Sequence, residues 1–332
     1  MTNNNKHVII QYKTNHGGHM TNNYNLGYAC INTELSSRKV KVSTNRTMRK
    51  KTFQEKGLDY VSEIILANCT DLLTILEWNA KHNIHFFRMS SEIFPWASEY
   101  DLEDLKDFDA IEEALYQAGL YANEHNIRLT CHPGPFNKLC SPNESVVQNT
   151  IKDLEINGKM MDLLCQPRTP WAKINIHVGG AYNDKPMALA NFCKNYARLS
   201  DAVKTRLTVE NDDKESLYST QELYDGVFKV IGIPIVHDYH HHTMCTGGLT
   251  QQEAVELALT TWGDVVPVVH YSQSRAVEHN DPKIKPQAHS DSYWTPIDTF
   301  GHRMDIMLEC KHKEVGLFKM RELMGSTCMA AK

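Results

Sequence analysis

The stretch His237-Asp238-Tyr239-His240-His241-His242 packs four histidines and an aspartate into six residues. Such side chains are costly to desolvate without a partner, and a divalent cation supplies one. Imidazole with carboxylate suits zinc, manganese or iron, and added oxygen ligands favour manganese or magnesium. The pattern recurs along the chain. His132 stands in Cys-His-Pro-Gly, His177 in Ile-His-Val-Gly-Gly, Glu210 in Val-Glu-Asn-Asp, His270 in Val-His-Tyr-Ser and Glu309 in Leu-Glu-Cys-Lys. Any one of these alone is more often a hydrogen-bonded polar residue after an ordinary strand than a ligand. Together, and with His289 in Gln-Ala-His-Ser, they exceed the four or five ligands that one ion takes. The set implies two or three cations bridged by carboxylates, with Glu210 the natural central bridge. Clustered divalent ions suit phosphodiester hydrolysis, because one activates water while another stabilises the leaving oxyanion.

Most of these residues follow a short apolar segment. Candidate strands are 26–31, 84–89, 127–131, 172–178, 206–209, 233–236, 265–269 and 304–308, short and apolar as parallel strands buried on both faces should be. Between them lie helical stripes: Val61, Ile64, Ile65, Leu72, Leu73, Leu76 and Ala80; Ile111, Ala114, Leu115, Ala118 and Ala122; Leu189, Phe192, Cys193, Tyr196 and Leu199. Ser145 with Gln148, Ser219 with Glu222 and Thr250 with Glu253 have capping-box spacing. Eight strands alternating with helices predict an α/β fold, the (β/α)8 TIM barrel, in which the strand C-termini converge on the face that carries active sites. A doubly wound open sheet is the alternative, but no Gly-rich dinucleotide fingerprint follows the first strand.

Residues 1–24 read as a flexible polar tail, 25–325 as one barrel domain and 326–332 as a C-terminal tail. The 332 residues are 41% hydrophobic, enough for a sizeable core, and the net charge is −5. A net negative charge opposes nucleic-acid binding unless basic residues cluster or bound cations reverse the local field. Nine scattered cysteines without a CxxC pair argue against a disulfide framework or a zinc ribbon. No signal peptide or transmembrane segment is evident, so a soluble, intracellular monomer of cytoplasm or nucleus is expected.

Basic residues do cluster. Arg38, Lys39, Lys41, Arg46, Arg49, Lys50 and Lys51 follow the first strand with no acid among them. Such a run supplies phosphate contacts. Tyr28, Phe94, Trp96 and Phe136 lie at or beyond the ends of strands one to three, where aromatic rings could stack on bases or pack as a cap.

In combination these motifs resemble the UV damage endonucleases. The likeness rests on Leu-Gly-Tyr-Ala-Cys-Ile-Asn at 26–32, Phe-Arg-Met-Ser-Ser at 87–91, His-Pro-Gly at 132–134, His-Val-Gly-Gly at 177–180, Val-Glu-Asn-Asp at 209–212, Asp-Tyr-His-His at 238–241, His-Tyr-Ser at 270–272 and Leu-Glu-Cys-Lys at 308–311. It implies a TIM barrel that holds divalent metals, commonly manganese, with magnesium, zinc or cobalt as alternatives. The implied activity is a nick in damaged double-stranded DNA immediately 5′ of a photolesion, leaving a 3′-hydroxyl. Carried over, it makes His132, His177, Glu210, Asp238, His241, His270, His289 and Glu309 metal ligands, with Glu210 central to catalysis. His241 follows from the Asp-x-x-His spacing, with His240 and His242 as neighbouring alternatives. Tyr28, Asn32 and Phe136 would probe the lesion, and Arg38, Lys39, Arg46, Arg49, Lys50 and Lys51 would hold phosphates.

Two positions depart from the pattern. Pro135 replaces the glutamine that usually follows His-Pro-Gly. Val268 stands where some members carry a modified lysine at the metals, so a metal is held more weakly there or another group fills the gap. Competing expectations are an abasic-site endonuclease on the same barrel, a metal-dependent sugar isomerase, which the basic segment disfavours, and a non-catalytic damage binder.

Overall fold

A computed structural model describes residues 24–330, with side chains through Gly325. The expected N-terminal tail, Tyr24 apart, lies outside the described residues. Eight strands alternate with helices: β1 (Tyr24–Ala29), β2 (Phe86–Arg88), β3 (Arg128–Thr130), β4 (Ile174–Ile176), β5 (Leu207–Glu210), β6 (Ile235–Asp238), β7 (Val268–Tyr271) and β8 (Met304–Leu308). All paired neighbours are parallel, in the order β3-β2-β1-β8-β7-β6-β5-β4. The two end strands meet at one bridge, Cys131 with Ile174, which completes a (β/α)8 barrel. Each expected strand is present, the eighth with the expected bounds and the others displaced by one to three residues at their ends.

The pleat explains why the strands read as apolar runs and not as alternating ones. Leu26, Phe87, Leu129, Ile176, Val209, Ile235, Val269 and Leu308 join the core shared with the helices. Ala29, Phe86, Val236, Val268 and Met307 belong to a second cluster with Trp262, which fills the barrel itself. Both faces are therefore buried. The helix Lys50–Lys81 seats Val61, Ile65, Leu72, Ile75 and Leu76 with no exposure. Each such side chain contributes about 1.5–3 kcal/mol through burial. This helix kinks at Gly57, where φ is +70° and a side chain would be strained.

Ser219 with Glu222 and Thr250 with Glu253 form the expected capping boxes. Ser145 does not cap. The helix Glu144–Leu163 begins two residues earlier than that reading requires, and Asn143 takes the role, its side-chain oxygen accepting from Ser145 N at 3.0 Å. The last helix, Lys313–Ala330, runs into the stretch read as a C-terminal tail. The described cysteines are all free, and no described helix is long and apolar enough to cross a membrane.

The N-terminal end of the barrel is plugged. Arg128, fully buried, donates to the carbonyls of Trp171, Val266 and Pro170 and to Asp305 Oδ2 at 2.8 Å. Its guanidinium lies 4.5 Å from the Trp171 ring centre. The opposite end holds the polar cluster.

Candidate metal centre

Glu210, the last residue of β5, stands at the middle of a ring of imidazoles and is 1% exposed. Its Oε2 is 3.0 Å from His132 Nε2, 3.1 Å from His270 Nδ1 and 3.9 Å from His177 Nε2, and its Oε1 is 3.4 Å from His241 Nδ1. Among the described residues four groups could each hold a cation, and besides Glu278, His279 and Asp291, three are built from the expected ligands: His132, His177 and Glu210; Glu210, Asp238 and His241; Asp238, His270 and Glu309. They overlap through Glu210 and Asp238, so the carboxylates link one candidate position to the next. His289 stands beside them, its Nδ1 3.6 Å from Glu309 Oε2 and its ring 6.1 Å from that of His241.

Local folding selects one histidine from the cluster 240–242. Asp238 caps the helical turn Tyr239–His242, and its Oδ1 accepts from His241 N at 2.8 Å. The turn brings residue 241 back over the aspartate. Asn211 fixes the start of this turn, exchanging two hydrogen bonds with the Asp238 main chain at 2.7 and 3.1 Å. His240 faces His289, ring centres 5.8 Å apart, and His237 points outward to Thr220 Oγ1 at 2.9 Å and Gln251 at 2.6 Å. Burial holds the His237 ring neutral, far below its ordinary pKa. His237 is thus a core residue between strand and helices.

Main-chain carbonyls orient the candidate ligand rings. His132 Nδ1 lies 3.2 Å from Pro133 O, His241 Nδ1 2.9 Å from Asn211 O and His289 Nδ1 2.9 Å from Glu309 O. A carbonyl accepts only N–H, so in the neutral ring Nε2 keeps its lone pair for a metal. Asn175 does the same for the carboxylate: its Nδ2 donates to Glu210 Oε2, while its Oδ1 accepts from Thr208 Oγ1 at 2.7 Å.

The donor set fits divalent cations. Asp238 Oδ2, His177 Nδ1 and His270 Nδ1 are buried and make no hydrogen bond of ordinary geometry, although His177 Nδ1 has Asp212 Oδ1 at 3.2 Å and His270 Nδ1 has carboxylate oxygens at 3.1 and 3.2 Å. Asp238 Oδ2 and His270 Nδ1 belong to one candidate group with Glu309, and a cation between them would supply the missing partner. Burial pushes the Asp238 carboxyl up, with Glu210 and Glu309 adding to the effect against His241. Glu210 stays well below the carboxylate range, since His270 and His177 outweigh its burial. Burial pushes His132 down to about 4. For His177 burial also acts downward, but Glu210 and Asp212 prevail and raise it to about 10.

The last value gives a sign. With Glu210 and Asp212 holding a proton on His177, binding a cation there would require that proton to leave. Apparent Mn²⁺ affinity should therefore rise by about tenfold per pH unit between pH 6 and 8, with proton release on binding. Titration calorimetry in buffers of different ionisation enthalpy measures the release, and His177→Ala should abolish this component. A pH-independent affinity would contradict the assignment.

The profile of the family described as UV-endonuclease UvdE matches residues 24–330. This chain belongs to that family. Among curated relatives, the UV-damage endonuclease of Schizosaccharomyces pombe is 37% identical over 310 residues, which are 89% of this chain and 50% of that protein. The UV DNA damage endonuclease of Clostridium perfringens is 32% identical over 302 residues, 89% of this chain and 69% of that protein. The crystal structure of SacUVDE superposes with a TM-score of 0.76 at 29% identity, covering 92% of this chain and 99% of that one. The chain spans about half the length of the two fungal relatives that it matches.

Within this UvdE-family chain the other expected site residues fall in different places. Phe136 is 87% exposed. Tyr28 and Asn32 are not presented to a ligand. The pleat turns Tyr28 to the helix side of β1, where its hydroxyl donates to Asn79 Oδ1 at 2.7 Å and its ring packs on Phe87. Asn32 donates to that hydroxyl at 3.0 Å and caps the turn Thr33–Ser36 through Leu35 N at 2.8 Å. In this structure both shape the loop from beneath. Arg38, Lys39, Lys41, Arg49, Lys50 and Lys51 are exposed. Arg46 is instead a brace, bound to Asp71 Oδ2 at 2.6 Å and to Lys41 O at 2.9 Å. Trp96 is cap packing, stacked on Phe53 and donating to Met48 O at 3.0 Å.

Several residues were given no role at the site by the sequence. Val268 packs inside the barrel, and Lys173, the residue before β4, reaches across it, Nζ 3.1 Å from His270 Nε2. Burial and the Arg88 guanidinium push its amine down to about 7. The parity of 173, 175 and 177 was the available signal, since alternate residues of one strand share a face. Arg88, in Phe-Arg-Met-Ser-Ser, pairs with Glu309. Tyr182 and Trp294 are further exposed aromatics, at 45% and 42%.

Proposed function

We propose that this chain is a DNA repair endonuclease that nicks duplex DNA immediately 5′ of UV photoproducts, leaving a 3′-hydroxyl and a 5′-phosphate. It would use two or three divalent cations, manganese the preferred one. The observation that carries this reading is the run of three ligand groups joined through Glu210 and Asp238 at the open end of the barrel. Membership of the UvdE family supports the choice of damaged DNA as substrate. Divalent cations held there would lower the pKa of water and stabilise the leaving oxyanion.

The chain's own residues supply the rest. Asn175 and Thr208 hold the Glu210 carboxylate in one orientation. The exposed lysines and arginines of 38–51 offer sequence-independent phosphate contacts. Arg49, Lys50 and Lys51 stand at the start of a helix with no acid in its first turn. Cations there oppose the helix dipole, so helix stability does not account for them. Phe136 is a wedge free to enter the duplex. A photolesion has weakened stacking, so extruding it costs less than extruding an intact pair. Selectivity would then rest on deformability.

The test is nicking of supercoiled plasmid, irradiated or not, with Mn²⁺ and again after chelation. Nicks are expected only in irradiated DNA and only with metal. Equal nicking of both plasmids, or nicking that survives chelation, would count against the reading. An end-labelled duplex with one dimer locates the cut. Phe136→Ala, run alongside, should lose the about 1–3 kcal/mol that an aromatic platform gives a base, with metal content unchanged.

A further inference from the structure

Arg88 is built unlike the other buried arginines of this chain. Arg128 donates to three carbonyls and a carboxylate. Arg206, also fully buried, donates to the carbonyls of Pro167, Gly158, Ala202 and Gln166 and pairs with Asp162. Those two guanidinium groups are saturated, as structural braces should be. Arg88 is not. Among the described residues its side chain has one acceptor, the Glu309 carboxylate, and its Nε is buried without a partner. The side chain retains 13% exposure.

Its place is specific. Arg88 ends β2, in register with Ala29 and Thr130, on the inward side that Phe86 also occupies. Its carboxylate partner lies 3.2 Å from His270 Nδ1, which is 3.1 Å from Glu210. The guanidinium therefore sits one carboxylate away from the centre of the ligand cluster, with N–H groups to spare. A planar fork of donors matches an anion with two oxygens, such as a phosphodiester. Glu309 alone would be served as well by a lysine.

We infer that Arg88 is a catalytic residue whose guanidinium contacts a non-bridging oxygen of the scissile phosphodiester. This rests on the proposed nuclease reading. As water adds to phosphorus and the bond to the 3′ oxygen breaks, negative charge gathers on the non-bridging oxygens, and a donor fixed beforehand stabilises it.

The experiment compares wild type, Arg88→Ala and Arg88→Lys in four readouts: metal content, single-turnover nicking of a duplex with one dimer, affinity for that duplex in chelator, and nicking with added guanidinium ion. The expected result for Arg88→Ala is full metal content, nicking slower by about 10²–10³-fold, weaker duplex binding and partial rescue by guanidinium. Arg88→Lys should keep metal and binding but nick slowly. Metal loss in step with activity would make Arg88 a brace for Glu309 and overturn the inference. So would nicking within about threefold of wild type, or no rescue at full metal content. If Arg88→Ala does not fold, Arg88→Lys decides: wild-type nicking by it overturns the inference. Should wild type itself fail to nick, the nuclease reading falls, and equal duplex affinity of wild type and Arg88→Ala would dispose of the phosphate contact separately.

Discussion

Glu210→Gln should stop nicking of irradiated plasmid while leaving affinity for a lesion-bearing duplex in chelator close to that of wild type. Four imidazoles lie within 3.9 Å of this carboxylate, and two of the three candidate cation groups include it. An amide of the same shape keeps the packing but removes the charge and one of the two oxygens that neighbouring cation positions would share. Loss of an outer partner of a metal ligand already costs about 10–100-fold. Glu210 would be a ligand shared by two positions, so a decline of at least about a hundredfold is expected, with metal content falling as well. Undiminished nicking would show that the assignment of the centre is wrong.

The largest stability effect should come from the other end of the barrel. Asp305→Ala strips Arg128 of the one carboxylate that it meets among the described residues while the guanidinium stays fully buried, and leaves Asn25 Nδ2, now 2.9 Å from Asp305 Oδ1, without that acceptor. Breaking a buried pair on one side costs about 3–5 kcal/mol, because the remaining charge is uncompensated. Replacing both partners, Arg128→Met with Asp305→Leu, should cost far less, since two desolvated charges disappear together. Denaturant unfolding of the three variants measures this. A single-mutant loss below about 1 kcal/mol, the range of exposed pairs, would contradict the account. Glu210→Gln offers a contrast, with its large effect on nicking.

The strands were legible because each is buried on both faces, which compresses the fold into short apolar runs such as Ile235–Val236 and Val268–Val269. The ligands were legible because they end those runs. What escaped was direction. Whether Tyr28 faces helix or barrel depends on the pleat of β1 against its neighbours, and periodicity within one strand does not fix that. Long side chains escaped for another reason. Lys173 and Arg88 act at the end of the barrel reached only by extended aliphatic stems, so their contacts lie with residues 97 and 221 positions away. Arg46 belongs to a basic run yet serves as a brace, because Asp71 on the following helix meets it. Helix starts were partly legible: two capping boxes formed where spacing placed them, and the third gave way to Asn143.

The hoop of strands is thinnest where β3 meets β4. Other neighbours pair through at least two residue pairs, but here one bridge, Cys131 with Ile174, joins the two sides. His132 and His177 stand on opposite banks of that gap, and both look toward Glu210. A cation gripped by all three would rivet the joint. Loading the centre and fastening the scaffold would then be one event, and the banks of β3 and β4 would be the first to breathe when the rivet is drawn.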